Sequence, residues 1–297
     1  MLEKILVPLD GSSLGELALI HAKELAVAFD SEVHLLSVVE KRDSEYQRMI
    51  QIYLQKITEE MQTFFNQANP KVTIKLSLVD GSPAVEIVEY ARQKRMSLVI
   101  IVSHGHSGIM PWSMGSTANK VVLTIHNPVL LVRASMFNAK RRPEKLFNKI
   151  LLPLDGSEVG EAALPYAIEI AQKLKSEVIL LSVIESSQHV RTIGGQDYIH
   201  YPEQQIEKMK EDANQYLTVT TKKLANSGVN GRSVVKEGDA AQEIIRFAKQ
   251  GNIRLIAMSS HGRSGMRGWV FGSVSNKVIQ GGKTSLLLVR PPQADVQ

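Results

Sequence analysis

The chain has 297 residues, 43 % hydrophobic and 22 % charged, with no cysteine and a formal net charge of +5. That suits a globular protein with room for two domains of ordinary size, and it excludes disulfides, thiolate metal sites and a cysteine nucleophile. The positive charge is too thinly spread for a nucleic-acid footprint, its densest spots being Arg141-Arg142 and Arg92 to Arg95, and no apolar run reaches the roughly 18 residues of a membrane span.

The first residues form an alternating apolar segment without the core of a signal peptide, which predicts a cytoplasmic protein. Ile5 to Pro8 reads as a strand buried on both faces. Ser13-Leu14-Gly15-Glu16 has the spacing of a capping box that opens a helix, with Leu17, Leu19, Ile20, Leu25 and Ala28 on its apolar face. Val33 to Val39 is the next strand, followed by a helix from about Ser44 to Gln67 that Asn69-Pro70 ends. Val72 to Leu78 reads as strand and Pro83 to Gln93 as a helix with proline in its first turn. Leu98 to Ser103 is strand, Ser116 to about Ile125 helix and Pro128 to Val132 a closing strand. Alternating strands and helices imply parallel pairing with helices on both faces, a doubly wound sheet.

The same order runs again from Ile150 to Val289. Lys4 to Ser12, KILVPLDGS, returns as Lys149 to Ser157, KILLPLDGS, and His104-Gly105 through Gly115-Ser116 returns as His261-Gly262 through Gly272-Ser273. In both copies nine residues separate the glycine after histidine from the next Gly-Ser. The first motif recurs after 145 residues and the second after 157, so the second half holds about twelve extra residues between them. These fall near Ser186 to Gln204, where Gly194-Gly195, His200 and Tyr201-Pro202 read as loop: either a surface insertion or a lid leaving the carboxyl edge of the sheet.

In a doubly wound sheet the ligand crevice lies at the carboxyl ends of the strands, where the order reverses. Asp10 and Ser103-His104-Gly105 stand at such ends in the first half, as do Asp155 and Ser260-His261-Gly262 in the second. Gly105, Gly115, Gly262 and Gly272 can adopt φ > 0 and let main chain approach a ligand. Gly-Ser at a helix start offers N–H groups and the positive end of the helix dipole, an anion site suited to phosphate. An aspartate at the end of the first strand could accept from a ribose hydroxyl or hold a metal that neutralises phosphates. The plainer alternative is that the glycines only turn the chain and Ser116 and Ser273 are N-caps.

Both halves resemble the universal stress protein family, from the VPLDGS opening to the Leu-Leu-Val-Arg that ends each half. The resemblance implies two tandem doubly wound domains, residues 1–140 and 146–297, each a five-stranded parallel sheet of strand order 3-2-1-4-5 flanked by helices. The family's nucleotide-binding members carry Gly-x-x-Gly, nine residues, then Gly-Ser or Gly-Thr. They hold ATP with that loop, the aspartate after the first strand and main chain near the end of the second strand. By position this implicates Asp10, Val38, Gly105, Gly115, Ser116 and Thr117 in the first half, and Asp155, Val183, Gly262, Gly272, Ser273 and Val274 in the second. The first glycine of that motif is replaced in both halves, by Val102 and by Ser259. The family arrangement also puts Val129 to Val132 and Leu286 to Val289 at sheet edges, so the halves are expected to pair these strands as a pseudo-dimer within one chain, and whole chains to pair again.

The second half is expected to be the better site. Ser259 is smaller than Val102 and can hydrogen-bond, and Arg263 and Arg267 stand where the first half has His106 and Met110. A guanidinium suits phosphate oxygens, although a solvated face explains these arginines equally well. Other signals carry less. Gly281 to Ser285 resembles the tail of a Walker A loop but has Lys277 where the first glycine must be, and His104 with His106 lacks a third metal ligand fixed by spacing. The sequence thus predicts a stress-response protein that binds an adenine nucleotide, ATP with Mg²⁺, as a regulatory or protective module with an unidentified protein partner. It shows no general base for rapid turnover, so no catalytic residue is assigned and hydrolysis, if any, is slow. The rival is a family member that has lost nucleotide binding and acts by protein association.

Overall fold

The computed structural model describes residues 1–39, 44–104, 114–134, 145–192, 195–262 and 271–291. The chain divides into two compact units, one built from Met1–Leu146 together with Ser285–Arg290, the other from Phe147–Thr284.

In the first unit the order is β1 (Lys4–Pro8), α1 (Leu17–Phe29), β2 (Glu32–Val39), α2 (Ser44–Ala68), β3 (Thr73–Asp80), α3 (Pro83–Gln93), β4 (Leu98–Val102), α4 (Ser116–Thr124) and β5 (Val129–Val132). The strands lie β3-β2-β1-β4-β5, the expected 3-2-1-4-5, and each of these neighbours is parallel. β4, Leu-Val-Ile-Ile-Val, is buried at every position, as a central strand covered on both faces must be. Helix α2 buries Ile50, Leu54, Ile57, Met61 and Phe65, one stripe at helical spacing. Asp30, at φ 53°, ends α1 in the left-handed conformation while its N–H bonds Ala26 O.

The first unit has a sixth strand from the far end of the chain. β12 (Ser285–Val289) runs antiparallel to β5 with Leu286 opposite Leu131, Leu287 opposite Leu130 and Leu288 opposite Val129, which is the pairing anticipated for these two segments. Arg290, next in sequence, donates through Nη2 to Val122 O at 3.3 Å and Leu123 O at 2.5 Å, satisfying carbonyls in the last turn of α4.

The second unit runs β6 (Lys149–Pro153), α5 (Leu164–Leu174), β7 (Glu177–Ile184), β8 (Ser187–Thr192), β9 (Gly195–His200), α6 (Glu203–Asn226), β10 (Gly231–Glu237), α7 (Ala240–Gln250), β11 (Leu255–Ser259) and α8 (Ser273–Gly281). Its sheet order, β10-β7-β6-β11, repeats the first four positions of the other unit. A short 3₁₀ turn, Val159–Ala163, precedes α5.

Two local expectations are corrected. The helix after Asp10 opens at Leu17, because Ser12 and not Ser13 organises the entry: Ser12 Oγ accepts from Gly15 N at 3.0 Å while it donates to Asp10 Oδ1 at 2.5 Å. The segment expected as a loop is the antiparallel hairpin β8-β9, with Ser187 opposite His200 and Thr192 opposite Gly195, and α6 already begins at Glu203. Backbone pairing of the two short segments satisfies donors and acceptors that an open loop would leave to water; Gly194 lies outside the described residues.

Candidate functional site

Each unit has a cavity at the carboxyl ends of its central strands. The turn that opens it is the same in both. Asp10 Oδ1 accepts from Ser12 N at 3.0 Å, and Asp155 Oδ1 accepts from Ser157 N at 3.0 Å and Ser157 Oγ at 2.7 Å. Gly160 N donates to Ser157 Oγ at 3.0 Å, as Gly15 N does to Ser12 Oγ. The Asp-Gly-Ser sequence is needed for this geometry, since Gly11 has φ 77° and Gly156 φ 81°, a region costly for any residue with a Cβ. The turn therefore fixes the aspartate against the end of the first strand before any ligand is present.

On the other side stands the helix that follows the glycine loop. Gly115 N donates to Ser103 O at 2.7 Å and Gly272 N to Ser260 O at 2.8 Å, which ties each helix start to the end of β4 or β11. Gly115 and Gly272 are the N-caps of α4 and α8, and neither helix has a side-chain cap. The plainer reading of Ser116 and Ser273 as N-caps is thereby corrected: each stands one residue inside its helix. Positive φ is corrected as well, since Gly115 has φ −55° and Gly272 φ −66°. What Gly262 supplies is close approach, because a Cβ there would come within 2.5 Å of Asp155 Oδ2.

The first cavity, of ≈ 640 Å³, brings Asp10, Val38, Gly115, Ser116 and Thr117 together. The second, of ≈ 450 Å³, brings together Asp155, Val183, Gly262, Gly272, Ser273 and Val274. Gly105 and Arg263 lie outside the described residues, as do His106, Met110 and Arg267. Apolar walls complete both pockets: Ile50, Pro83 and Ile87 in the first, and Met209, Ala240, Ile244 and Met258 with Tyr201 in the second. Tyr201 belongs to the segment read as loop or lid, and Pro83 was read only as a helix start; Ile50, Ile87, Met209, Ala240, Ile244 and Met258 were not singled out from sequence, because apolar residues of helices and strands are equally those of a packed core. Such a combination of an apolar wall, a fixed carboxylate and an uncapped helix start suits a ligand with a flat apolar part, hydroxyls and an anionic tail.

The replaced glycines are accommodated differently. Val102 is a buried strand residue that faces Val132 in the β4–β5 register. Ser259 Oγ accepts from His261 N at 3.3 Å. Ser275, one turn into α8, donates to Ser260 O at 2.7 Å and Gly272 O at 3.0 Å; the first half has Ala118 there. Each loop histidine bonds the serine before it, His104 Nδ1 to Ser103 Oγ at 3.1 Å and His261 Nδ1 to Ser260 Oγ at 2.8 Å. Burial, helped by the charge of Arg133, lowers the His104 pKa, so the first loop presents a neutral imidazole. Among the described residues no group of three or more His, Asp or Glu is placed to hold a metal ion.

Two tandem copies of a doubly wound α/β domain, each with an aspartate turn facing a glycine-entered helix, define the class. The profile of the universal stress protein family matches residues 1–133 and again 146–290, and the chain belongs to that family. Universal stress protein YxiE of Bacillus subtilis is 31 % identical over 148 residues, 49 % of this chain and 100 % of its own length. Universal stress protein MJ0531 of Methanocaldococcus jannaschii is 31 % identical over 157 residues, 52 % of this chain and 89 % of its own. The crystal structure of a universal stress protein from Archaeoglobus fulgidus superposes with a TM-score of 0.70 at 19 % identity, over 97 % of this chain and 98 % of that one, so the fold is shared across both halves.

Proposed function

We propose that both cavities are adenine-nucleotide sites and that the protein is a nucleotide-responsive stress module. The observation that carries this reading is that α4 and α8 each start at a glycine, without a side-chain cap, at the edge of a cavity whose opposite side holds a turn-fixed aspartate. The N–H groups of Ser116 and Thr117, and of Ser273 and Val274, would receive the phosphates. Asp10 and Asp155 would accept from ribose hydroxyls, and the apolar walls would hold the base. Mg²⁺ would enter with the phosphates, since the described residues do not build a metal site of their own. The preferred ligand is ATP, and the reading carries with it the domain limits 1–140 and 146–297, the cytoplasmic location and the pairing of whole chains expected from the sequence. The role carried with this reading is a regulatory or protective one.

Calorimetric titration of the full chain with ATP and with AMP, each with and without Mg²⁺, tests it. Saturable ATP binding at two sites per chain is the expected result. No heat and no protection against unfolding by ATP would leave protein association as the mode of action.

A further inference from the structure

A hydrogen-bond chain reaches Asp155 from behind, starting on α6. The Tyr216 hydroxyl donates to Glu161 Oε1 at 2.8 Å, and Glu161 Oε2 lies 3.5 Å from Lys223 Nζ. Glu161 follows Gly160, whose N–H donates to Ser157 Oγ, and Ser157 Oγ donates in turn to Asp155 Oδ1 at 2.7 Å. There is no slack at Gly160, where a Cβ would collide with Asp155 Oδ1. Tyr216 and Asp155 both line a smaller cavity of ≈ 250 Å³ under α6, and the same helix supplies Met209 to the wall of the ligand cavity. Burial, with the hydrogen bond and charge of Glu161 and the charge of Asp155, raises the Tyr216 pKa, so its hydroxyl remains a donor at neutral pH.

The first half has the same residue types beside its own aspartate turn. Tyr53, on α2, has its buried hydroxyl beside Glu16, which follows Gly15 as Glu161 follows Gly160, and burial with the charge and hydrogen bonding of Glu16 raises its pKa. The two tyrosines are out of register: 163 residues separate them, against 145 for the aspartates.

We propose that Tyr216 is a positioning residue of the second site: through Glu161 it holds the 155–161 turn so that Asp155 presents its carboxylate to the ribose hydroxyls of a bound nucleotide. The inference rests on the nucleotide reading above. It is tested by calorimetry on the full chain with ATP and with 2′,3′-dideoxy-ATP, comparing the unaltered protein with Tyr216→Phe, Glu161→Ala, Glu161→Gln and Tyr53→Phe. Tyr216→Phe and Glu161→Ala should each weaken ATP at one of the two sites by about fivefold to tenfold, the size expected for a residue acting through another. The affinity for dideoxy-ATP should stay as it was. Glu161→Gln, which keeps an acceptor for the tyrosine, should recover most of the loss seen with Glu161→Ala, and Tyr53→Phe should leave the second site as it was. Unchanged ATP binding in Tyr216→Phe, or equal losses for ATP and dideoxy-ATP, overturns the positioning role alone. Absence of ATP binding by the unaltered protein overturns the nucleotide reading and this role with it.

Discussion

The two cavities descend from one ancestral design and have diverged in how firmly they are built. The first is the roomier, ≈ 640 against ≈ 450 Å³, and has Val102 and Ala118 where the second has Ser259 and Ser275. In the second, those hydroxyls bond the loop and helix entry at three places, and Tyr216 braces the aspartate turn. The lesson is that the bulk of Val102 does not close the first pocket. What separates the halves is the number of polar restraints on the walls, and restraints made before binding reduce the ordering cost at binding.

The largest effect should come from Gly262→Val. Its Cβ would be forced to within 2.5 Å of Asp155 Oδ2, so binding at the second cavity should fall by about 100-fold or more, corresponding to the roughly 3 kcal/mol of a buried steric clash. Calorimetry should then report one site where the unaltered chain has two. Gly115→Val is the contrast: its Cβ meets Ser103 O at 3.4 Å and His104 Cα at 3.8 Å, so the first site should weaken through obstruction of the helix entry and by less.

Acid should separate the halves next. His21 is buried in α1, and desolvation lowers its pKa from 6.5 to about 4; His34 is buried beside Glu32 and Tyr90 and is lowered too, mainly by burial. Among the described residues the second unit has no buried histidine. Because the unfolded chain binds these protons more readily than the folded one, the stability they contribute is present above pH 6.5 and is lost as the pH falls towards 4. For His21 the gap corresponds to about 3 kcal/mol. Thermal unfolding followed from pH 7 to pH 4 should show the first unit weakening first, and His21→Leu should flatten that dependence; parallel loss in both units would remove histidine burial as its cause.

Smaller effects test the helix ends. Arg290→Ala should destabilise the first unit by about 1 kcal/mol through loss of the bonds to Val122 and Leu123 carbonyls, measured by denaturant unfolding with the second unit's transition unmoved. Ser259→Val should be the mildest change. It removes only the 3.3 Å bond to His261 N, so nucleotide affinity should drop by no more than about fivefold; a complete loss would make the serine a ligand contact.

Much of this could be read from the residues. KILVPLDGS and its repeat specify a buried strand and a left-handed glycine turn in nine residues, and Ile50 to Phe65 declare one apolar stripe, because both signals are local. The site residues came together because a parallel sheet brings the carboxyl ends of its strands to one edge. Other features were hidden for physical reasons. The Tyr216–Glu161 bond joins residues 55 apart and out of repeat register, so no spacing rule finds it. The partner of β5 comes from the far end of the chain; a run of leucines alone does not say which edge it will cover, and it was the family resemblance that pointed to the pairing with β12. The hairpin β8-β9 was legible in principle, since a glycine pair between two short segments is a hairpin signal; the lack of apolar alternation made it read as loop.

The pairing of β12 with β5 has a consequence during synthesis. Ribosomes add about 5 to 20 residues per second, and Ser285 follows Val132 by 153 positions. For roughly 8 to 30 seconds, therefore, every newborn chain carries a first half whose Leu130 and Leu131 strand has no neighbour on its outer side. Arg290 is then still unmade, and α4 lacks its carbonyl partner. Until β12 is made, the β5 edge stays open to pairing with any other strand, which makes this interval the one in which the chain is most exposed to aggregation.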